Sequence, residues 1–154
     1  MDLVSFSIIQ KLPISITKAW DFFSNPKNLE VITPPWLALR ITSEIPEEMY
    51  PGMIITYDVS PFLGIPVNWV TEITHVDRPR LFVDEQRFGP YRFWHHKHLF
   101  REIGGGIEMQ DVIHYAFRFG LIGRFFGTLM VREKVGKIFE FRYERLKELF
   151  GELI

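Results

Sequence analysis

The segment Leu81-Phe82-Val83-Asp84-Glu85-Gln86-Arg87-Phe88-Gly89-Pro90-Tyr91-Arg92-Phe93-Trp94-His95-His96-Lys97-His98-Leu99-Phe100 holds two strand-like runs separated by a Gly-Pro turn. Side chains alternate faces along a strand, so Trp94, His96, His98 and Phe100 share one face of the second run. Two aromatic rings and two imidazoles are too polar for a plain core and too aromatic for a solvated surface. Such a face reads as the wall of a pocket that is part apolar and part hydrogen-bonding, the common lining of a small-molecule site. A loop at Gly89-Pro90-Tyr91 sets Gln86 opposite Trp94, Asp84 opposite His96 and Phe82 opposite His98.

Further strands flank this hairpin. On one side Val67 to Val76 carries Trp69, Thr71 and Ile73 on a single face, and Asp77-Arg78-Pro79-Arg80 turns it into the Leu81 run. On the other, Gly104-Gly105-Gly106 leads into Ile107 to Arg118, where Ile107, Met109, Asp111, Ile113, Tyr115 and Phe117 face one way. One register of that pair sets Asp111 beside His98 and Tyr115 beside Trp94. Upstream, Leu3 to Leu12 reads as a strand with Phe6, Ile8 and Gln10 on one side. Ser15 or Thr17 caps a short helix, Lys18 to Ser24. Asn25-Pro26 breaks it, and Lys27 to Ile32 forms a further turn or two. Thr33-Pro34-Pro35-Trp36-Leu37 reads as rigid and extended. Leu39 to Ile45 and Met53 to Val59 read as two more strands.

From Gly123 the apolar period changes from two to about 3.6. Phe125, Phe126, Leu129, Val135, Ile138, Phe139, Leu146, Leu149 and Phe150 form a helical stripe reaching the C-terminus, with Gly127 and Gly136 as points where it can bend. The expected fold is therefore α+β: a curved antiparallel sheet of about seven strands wrapped around a long C-terminal helix, with two short helices after the first strand. Where sheet and helix stand apart, a cavity is left between them. This is the helix-grip architecture.

Composition sets the class. The 154 residues suit one domain spanning 1–154, and 47% hydrophobic with 24% charged residues is the balance of an ordered globular chain. A formal net charge of -1 leaves no basic excess to neutralise phosphates, so nucleic acid is not an expected partner. With 15 Phe and 4 Trp, the chain has either an aromatic core or an aromatic-lined cavity. Cysteine is absent, which excludes disulfides, thiolate metal sites and cysteine nucleophiles. No secretory signal or spanning apolar run is visible, and a cytoplasmic location is the default expectation.

The element order resembles the START / birch-pollen-allergen / polyketide-cyclase superfamily, abbreviated SRPBCC. Thr33-Pro34-Pro35-Trp36-Leu37, Val83-Asp84-Glu85-Gln86-Arg87 with Gly89-Pro90, Trp94-x-His96-x-His98-x-Phe100 and Phe119-Gly120-x-x-Gly123 resemble its small bacterial ligand-binding members. The resemblance spans the chain. It implies the fold and a hydrophobic cavity. Members bind lipids, sterols, polyketides, hormones or quinones, and a minority catalyse cyclisation or dehydration, so fold alone does not select a function.

Asp84, Gln86, His96, His98, Asp111 and Tyr115 can converge on the concave side. Three readings fit that patch: a satisfied polar network within the sheet, a set of groups that orients the polar head of an amphipathic ligand, or an acid/base centre acting on a bound carbonyl compound. His96 and His98 with Asp84 or Asp111 can also build a three-ligand metal site. A lone His-x-His pair is a weak signal for one, and neither metal nor cofactor is expected. His95, His75 and His114 read as outward-facing.

The reading these residues favour is a domain that binds a hydrophobic or amphipathic small molecule (lipid, quinone or polyketide-like) between sheet and helix. Asp84, Gln86, His96, His98 and Asp111 supply the polar contacts, and Trp69, Trp94, Met109, Tyr115, Phe126 and Met130 the lining. A cyclase or dehydratase using a His/Asp pair, and an interaction module without internal ligand, are the alternatives. The apolar tip Phe62-Leu63-Gly64-Ile65 reads as a lid or contact surface if it is exposed. The basic first half of the terminal helix (Arg124, Arg132, Lys134, Lys137) adds a transient membrane-surface contact as a further reading.

Overall fold

The seven strands form one antiparallel sheet in the order β1-β7-β6-β5-β4-β3-β2. They are β1 (Val4–Leu12), β2 (Arg40–Ile41), β3 (Met53–Phe62), β4 (Ile65–Asp77), β5 (Leu81–Phe88), β6 (Phe93–Ile103) and β7 (Gly106–Ala116). Two helices accompany them, α1 (Ile16–Phe23) and α2 (Gly123–Phe150). The structure is a computed structural model that describes residues 3–117 and 123–154, without the side chains of Phe62 and of residues 123–128. β2 to β7 run as a meander of hairpins, and β1 closes onto β7, with Phe6 opposite Ile113 and Gln10 opposite Met109. The register at the centre is the expected one: Asp84 pairs with His96, Phe82 with His98, His98 with Asp111 and Trp94 with Tyr115.

Local chemistry accounts for the elements between β1 and β3. Ser15 caps α1, its hydroxyl accepting from the Lys18 N–H at 3.2 Å. Asn25 and Pro26 then start a single 3-10 turn, Pro26–Leu29. Two expectations are corrected here. Pro34-Pro35-Trp36-Leu37 is not extended: Pro35–Leu37 winds into another 3-10 turn that ends with Ala38 left-handed at φ 48°. A proline's fixed φ suits the first residue of a turn as well as an extended chain. The strand expected over Leu39 to Ile45 shrinks to Arg40–Ile41, because pairing with β3 ends at Tyr57.

Irregularities in pairing bend the sheet, one between β3 and β4 at Val59/Phe62 and two between β4 and β5. Between β4 and β5 the pairing steps at Val70/Thr71 and again at Ile73/His75, leaving Thr74 as an extra residue on β4. Such bulges increase the local bend and twist of a strand.

Burial on α2 follows Val131, Val135, Phe139, Arg142 and Leu146, steps of three and four residues that keep one helical face on the sheet. Leu129, at 69% exposure, and Leu149 fall off that face, which corrects the stripe read from sequence. The apolar tip between β3 and β4 points outward, with Leu63 95% exposed. Lys134 reaches back from α2 to the Pro61 carbonyl and over the ring of the half-exposed Trp36. Among the described residues no helix is long and apolar enough to cross a membrane.

The core divides into three clusters rather than one. α1 presses Trp20 and Phe23 onto Phe82, Phe100 and Met109; α2 presses Val131, Val135 and Phe139 onto Ile113 and Tyr115; and Met53, Ile55, Tyr57 and Ile73 pack with Leu37. Two glycines test this description. A Cβ on Gly136 meets nothing within 4 Å, whereas one on Gly106 falls on the Leu12 carbonyl of β1. Gly136→Ala is expected to stabilise by about 0.5–1 kcal/mol through helix propensity. Gly106→Ala should cost about 1–3 kcal/mol through forced displacement of β1. Urea unfolding of both variants checks the pair of signs.

Candidate functional site

Where the three clusters meet, they do not close. A cavity of about 150 Å³ lies over β3 to β6, roofed by Ile138, Phe139 and Arg142 of α2 and bordered by α1 and the two 3-10 turns. Its wall is mostly ring and aliphatic carbon, including Ile55, Tyr57, Phe82 and Tyr91. Trp69 organises the aromatic end, with ring centres 5.4 Å from both Tyr91 and Trp94 and 5.7 Å from Tyr57. Asn25, exposed on its outer side, stands at the rim with Asn28, which donates to the Phe22 carbonyl at 2.9 Å.

The polar floor is a closed arrangement of four side chains. His98 Nε2 donates to Asp84 Oδ2 at 2.8 Å, and His96 Nε2 donates to Asp111 Oδ1 at 3.0 Å. His96 Nδ1 lies 3.4 Å from Asp84 Oδ2, and His98 Nδ1 lies 3.1 Å from Asp111 Oδ1. Each carboxylate therefore bridges both imidazoles, whose ring centres are 3.8 Å apart. The arrangement follows from strand alternation: His96 and His98 are neighbours on one face of β6, between Asp84 of β5 and Asp111 of β7. Trp94 Nε1 donates to the second oxygen of Asp84 at 3.3 Å, and Phe82 stacks on His98 at 4.0 Å.

The charges follow from these contacts. Burial alone would raise the Asp111 carboxyl, but the Arg142 guanidinium and the two histidines hold it well below the ordinary carboxylate range. Burial also pushes Asp84 up, and the His96 and His98 rings bring it below its usual value. Burial pushes His98 down, yet its hydrogen bonds to Asp111 and Asp84 leave its pKa raised. His96 ends lowered, by burial and then by the charge on His98. Of the two rings, His98 therefore holds an added proton more tightly than His96. Two anions, Asp84 and Asp111, stand against Arg142 and, when protonated, His98.

Of the residues expected at the site, Trp69, Asp84, Trp94, His96 and His98 line the cavity. Gln86 does not. It ties the hairpin instead, donating to the Tyr91 carbonyl at 2.7 Å and accepting from the Tyr91 N–H at 3.2 Å. Asp111 lies behind the imidazoles, 1% exposed. Met109 and Tyr115 are core residues, since both belong to β7, where helices cover the sheet and leave no hollow. Met130 is 48% exposed, one residue off the buried stripe that passes through Val131. The Phe126 side chain lies outside the described residues. His75 is exposed; His95 and His114 are partly covered, with His95 3.8 Å from Glu85.

Arg142 is the participant that sequence reading missed. Its signal was present: it stands three residues after Phe139 and four before Leu146, on the apolar stripe. Tyr57 and Thr71, whose hydroxyls are 2.5 Å apart across β3 and β4, were likewise missed as wall residues. As for metals, Asp84, His96 and His98 present ligand atoms within 4.8 Å of one another. A cation there would have to replace the proton between His98 and Asp84.

No family model and no curated protein matches this sequence. Solved structures do. A protein of Chromobacterium violaceum superposes with a TM-score of 0.73 at 9% identity, over 97% of this chain and 98% of its own. Ara h 8.0201, a Bet v 1-like allergen, superposes with a TM-score of 0.63 at 13% identity, over 96% and 99%. A nucleoside-diphosphate sugar epimerase of Corynebacterium glutamicum matches over 93% of this chain but 28% of its own length, with 19% identity and a TM-score of 0.66. At these identities the likeness is one of fold. The chain has the helix-grip fold seen in the Bet v 1-like and SRPBCC-type structures.

The network has a pH signature. Asp84 and Asp111 contribute stability that is full above the ordinary aspartate range, near about pH 4, and is lost as pH falls through their depressed values. His98, raised, contributes stability that is full below about pH 6.5 and fades as pH rises through its folded value. His96 acts in reverse, its depressed value costing stability below about pH 6.5. Asp111→Asn leaves His98 and Arg142 without their shared anion and is expected to lose about 3–5 kcal/mol at neutral pH. Its stability should also decline less steeply in acid than the parent's. Urea unfolding across the pH range checks both, and equal stability at neutral pH would exclude the role given to Asp111.

Proposed function

We propose that this protein binds a hydrophobic or amphipathic small molecule, of lipid, quinone or polyketide-like character, in the cavity between the sheet and α2. The observation that carries the reading is the hollow itself: about 150 Å³ lined by rings and aliphatic chains at the junction of three packed clusters, and open at its rim. Interiors are close-packed, and a void of this size forfeits contacts on every side of its lining. An engineered apolar cavity of about the same volume takes up benzene. An apolar ligand would recover about 25 cal/mol for each Å² removed from water, before the costs of association.

Binding is favoured over turnover by the state of the polar floor. Each ring nitrogen of His96 and His98 faces a carboxylate oxygen within 3.4 Å, so a proton entering or leaving either ring changes the charge balance with both aspartates. That supports a fixed floor rather than a cyclase or dehydratase centre. Gentle purification, native mass spectrometry and organic extraction are expected to yield a bound apolar compound. Ile138→Phe fills the roof of the cavity. It should weaken binding of the extracted compound on the order of tenfold while costing no more than about 1–3 kcal/mol of stability. Undiminished binding by a folded Ile138→Phe protein would move the ligand elsewhere.

A further inference from the structure

The helix that roofs the cavity places a guanidinium inside it. Arg142 is 7% exposed and forms part of the cavity wall. Its Cζ lies over two rings, 5.6 Å from the centre of Phe23 and 5.9 Å from that of Phe139. The charge partner among the described residues is Asp111, whose Oδ2 stands 3.7 Å from Nη2, too far for a hydrogen bond. Arg142 Nε is sealed from solvent without an acceptor, and Asp111 Oδ2 is sealed without a donor. The charge of Arg142 is thus balanced across a gap while its N–H groups are unspent. No acceptor among the described residues lies within hydrogen-bond reach of the guanidinium. Leaving a donor such as Nε unpaired in a dry site is costly, and a guanidinium presents its donors in a planar fork.

A second donor points the same way. Trp69, across the cavity wall, has its indole Nε1 buried with no acceptor. On the floor the Nε2 atoms of His96 and His98 are bonded to Asp111 and Asp84, while His98 Nδ1 is buried without a hydrogen-bond partner. The wall therefore offers donors and carbon, with acceptors missing.

We propose that Arg142 recognises a carboxylate carried by the ligand, so that the cavity prefers small aryl or alkyl acids to their uncharged counterparts. This rests on the cavity-binding reading above and adds the chemistry of the head group. Two coplanar oxygens match the guanidinium fork and accept two parallel N–H bonds. A phosphate fits less well, because its second charge would enter a cluster that already holds Asp84 and Asp111. The rings of Phe23 and Phe139 fix the fork before the ligand arrives, which lowers the ordering cost of binding.

The test uses phenylacetate and its methyl ester, which share a ring and a carbonyl and differ in charge, titrated into the intact protein and followed by NMR. The acid should bind on the order of 10- to 100-fold more tightly than the ester, the range of a charge-assisted hydrogen bond. The Arg142 side-chain Nε–H signal should shift on adding the acid and not on adding the ester. In Arg142→Met the advantage of the acid over the ester should vanish. Arg142→Lys, which keeps the charge and loses the fork, should fall between. Equal binding of acid and ester by the parent protein, or an acid preference that survives in Arg142→Met, overturns the head-group assignment and leaves the cavity reading standing. Binding of neither probe overturns both. If Arg142→Met does not fold, the acid-to-ester ratio and the Nε–H shift of the parent decide.

Discussion

One carboxylate holds the interior together. Asp111, fully enclosed, faces two imidazoles and a guanidinium at once, from β6 and from α2. Burying a carboxylate is affordable only when its partners are many and well placed. Here they come from separate parts of the chain, 13 and 15 residues back and 31 residues on. The same group that settles the charge of the sheet's centre therefore also ties the terminal helix to it. Gln10 adds a neutral tie, donating from β1 to the Tyr143 carbonyl at 2.9 Å. Remove the anion, and the helix loses its polar reason to sit in this register.

The hollow is a consequence of how the helix sits. α2 comes down on β1 and β7, where Phe6 meets Phe139 at 5.3 Å and Val131 and Val135 pack on Ile113 and Tyr115. Over β3 to β5 the cover is shared by Ile138, Phe139 and Arg142 of α2 with α1 and the short turns, and their side chains do not reach the sheet everywhere. Large rings at the margins keep the space open, since Trp69, Tyr91 and Trp94 brace one another edge to face and tilted. A cavity propped by interlocked aromatics resists collapse better than one lined by single aliphatic chains, because each ring is fixed by two neighbours.

Strand alternation made much of this legible before any coordinates. The faces of β5, β6 and β7 follow from a period of two, and the Gly-Pro turn set the partners of Asp84 and Phe82. What stayed hidden was depth. A pattern places Asp111, Met109 and Tyr115 on the inner face, but only the position of α2 decides that β7 is covered and β4 is not. Gln86 shows a related limit: its side chain is spent on the backbone of Tyr91, a local bond that no face assignment reveals. Arg142 escaped for a different reason. Arginine on a helix is read as solvated, and the stripe was followed through apolar residues alone, so the charged member in its middle went uncounted.

The division between spent and unspent polar groups determines what such a site can discriminate. Apolar walls distinguish ligands poorly, because one methylene more or less changes affinity by only about 1–3 kcal/mol. Groups already bonded to one another, as Asp84, His96 and His98 are, cannot discriminate at all without first breaking their own network. Buried donors that lack an acceptor behave differently. A ligand that brings the acceptor gains a bond, and one that does not leaves the donor as it was, desolvated and unpaired. In this interior that asymmetry lies with Arg142 and the Trp69 indole, on opposite elements of the wall, so discrimination is set where the helix meets the cavity rather than at the histidine pair of β6.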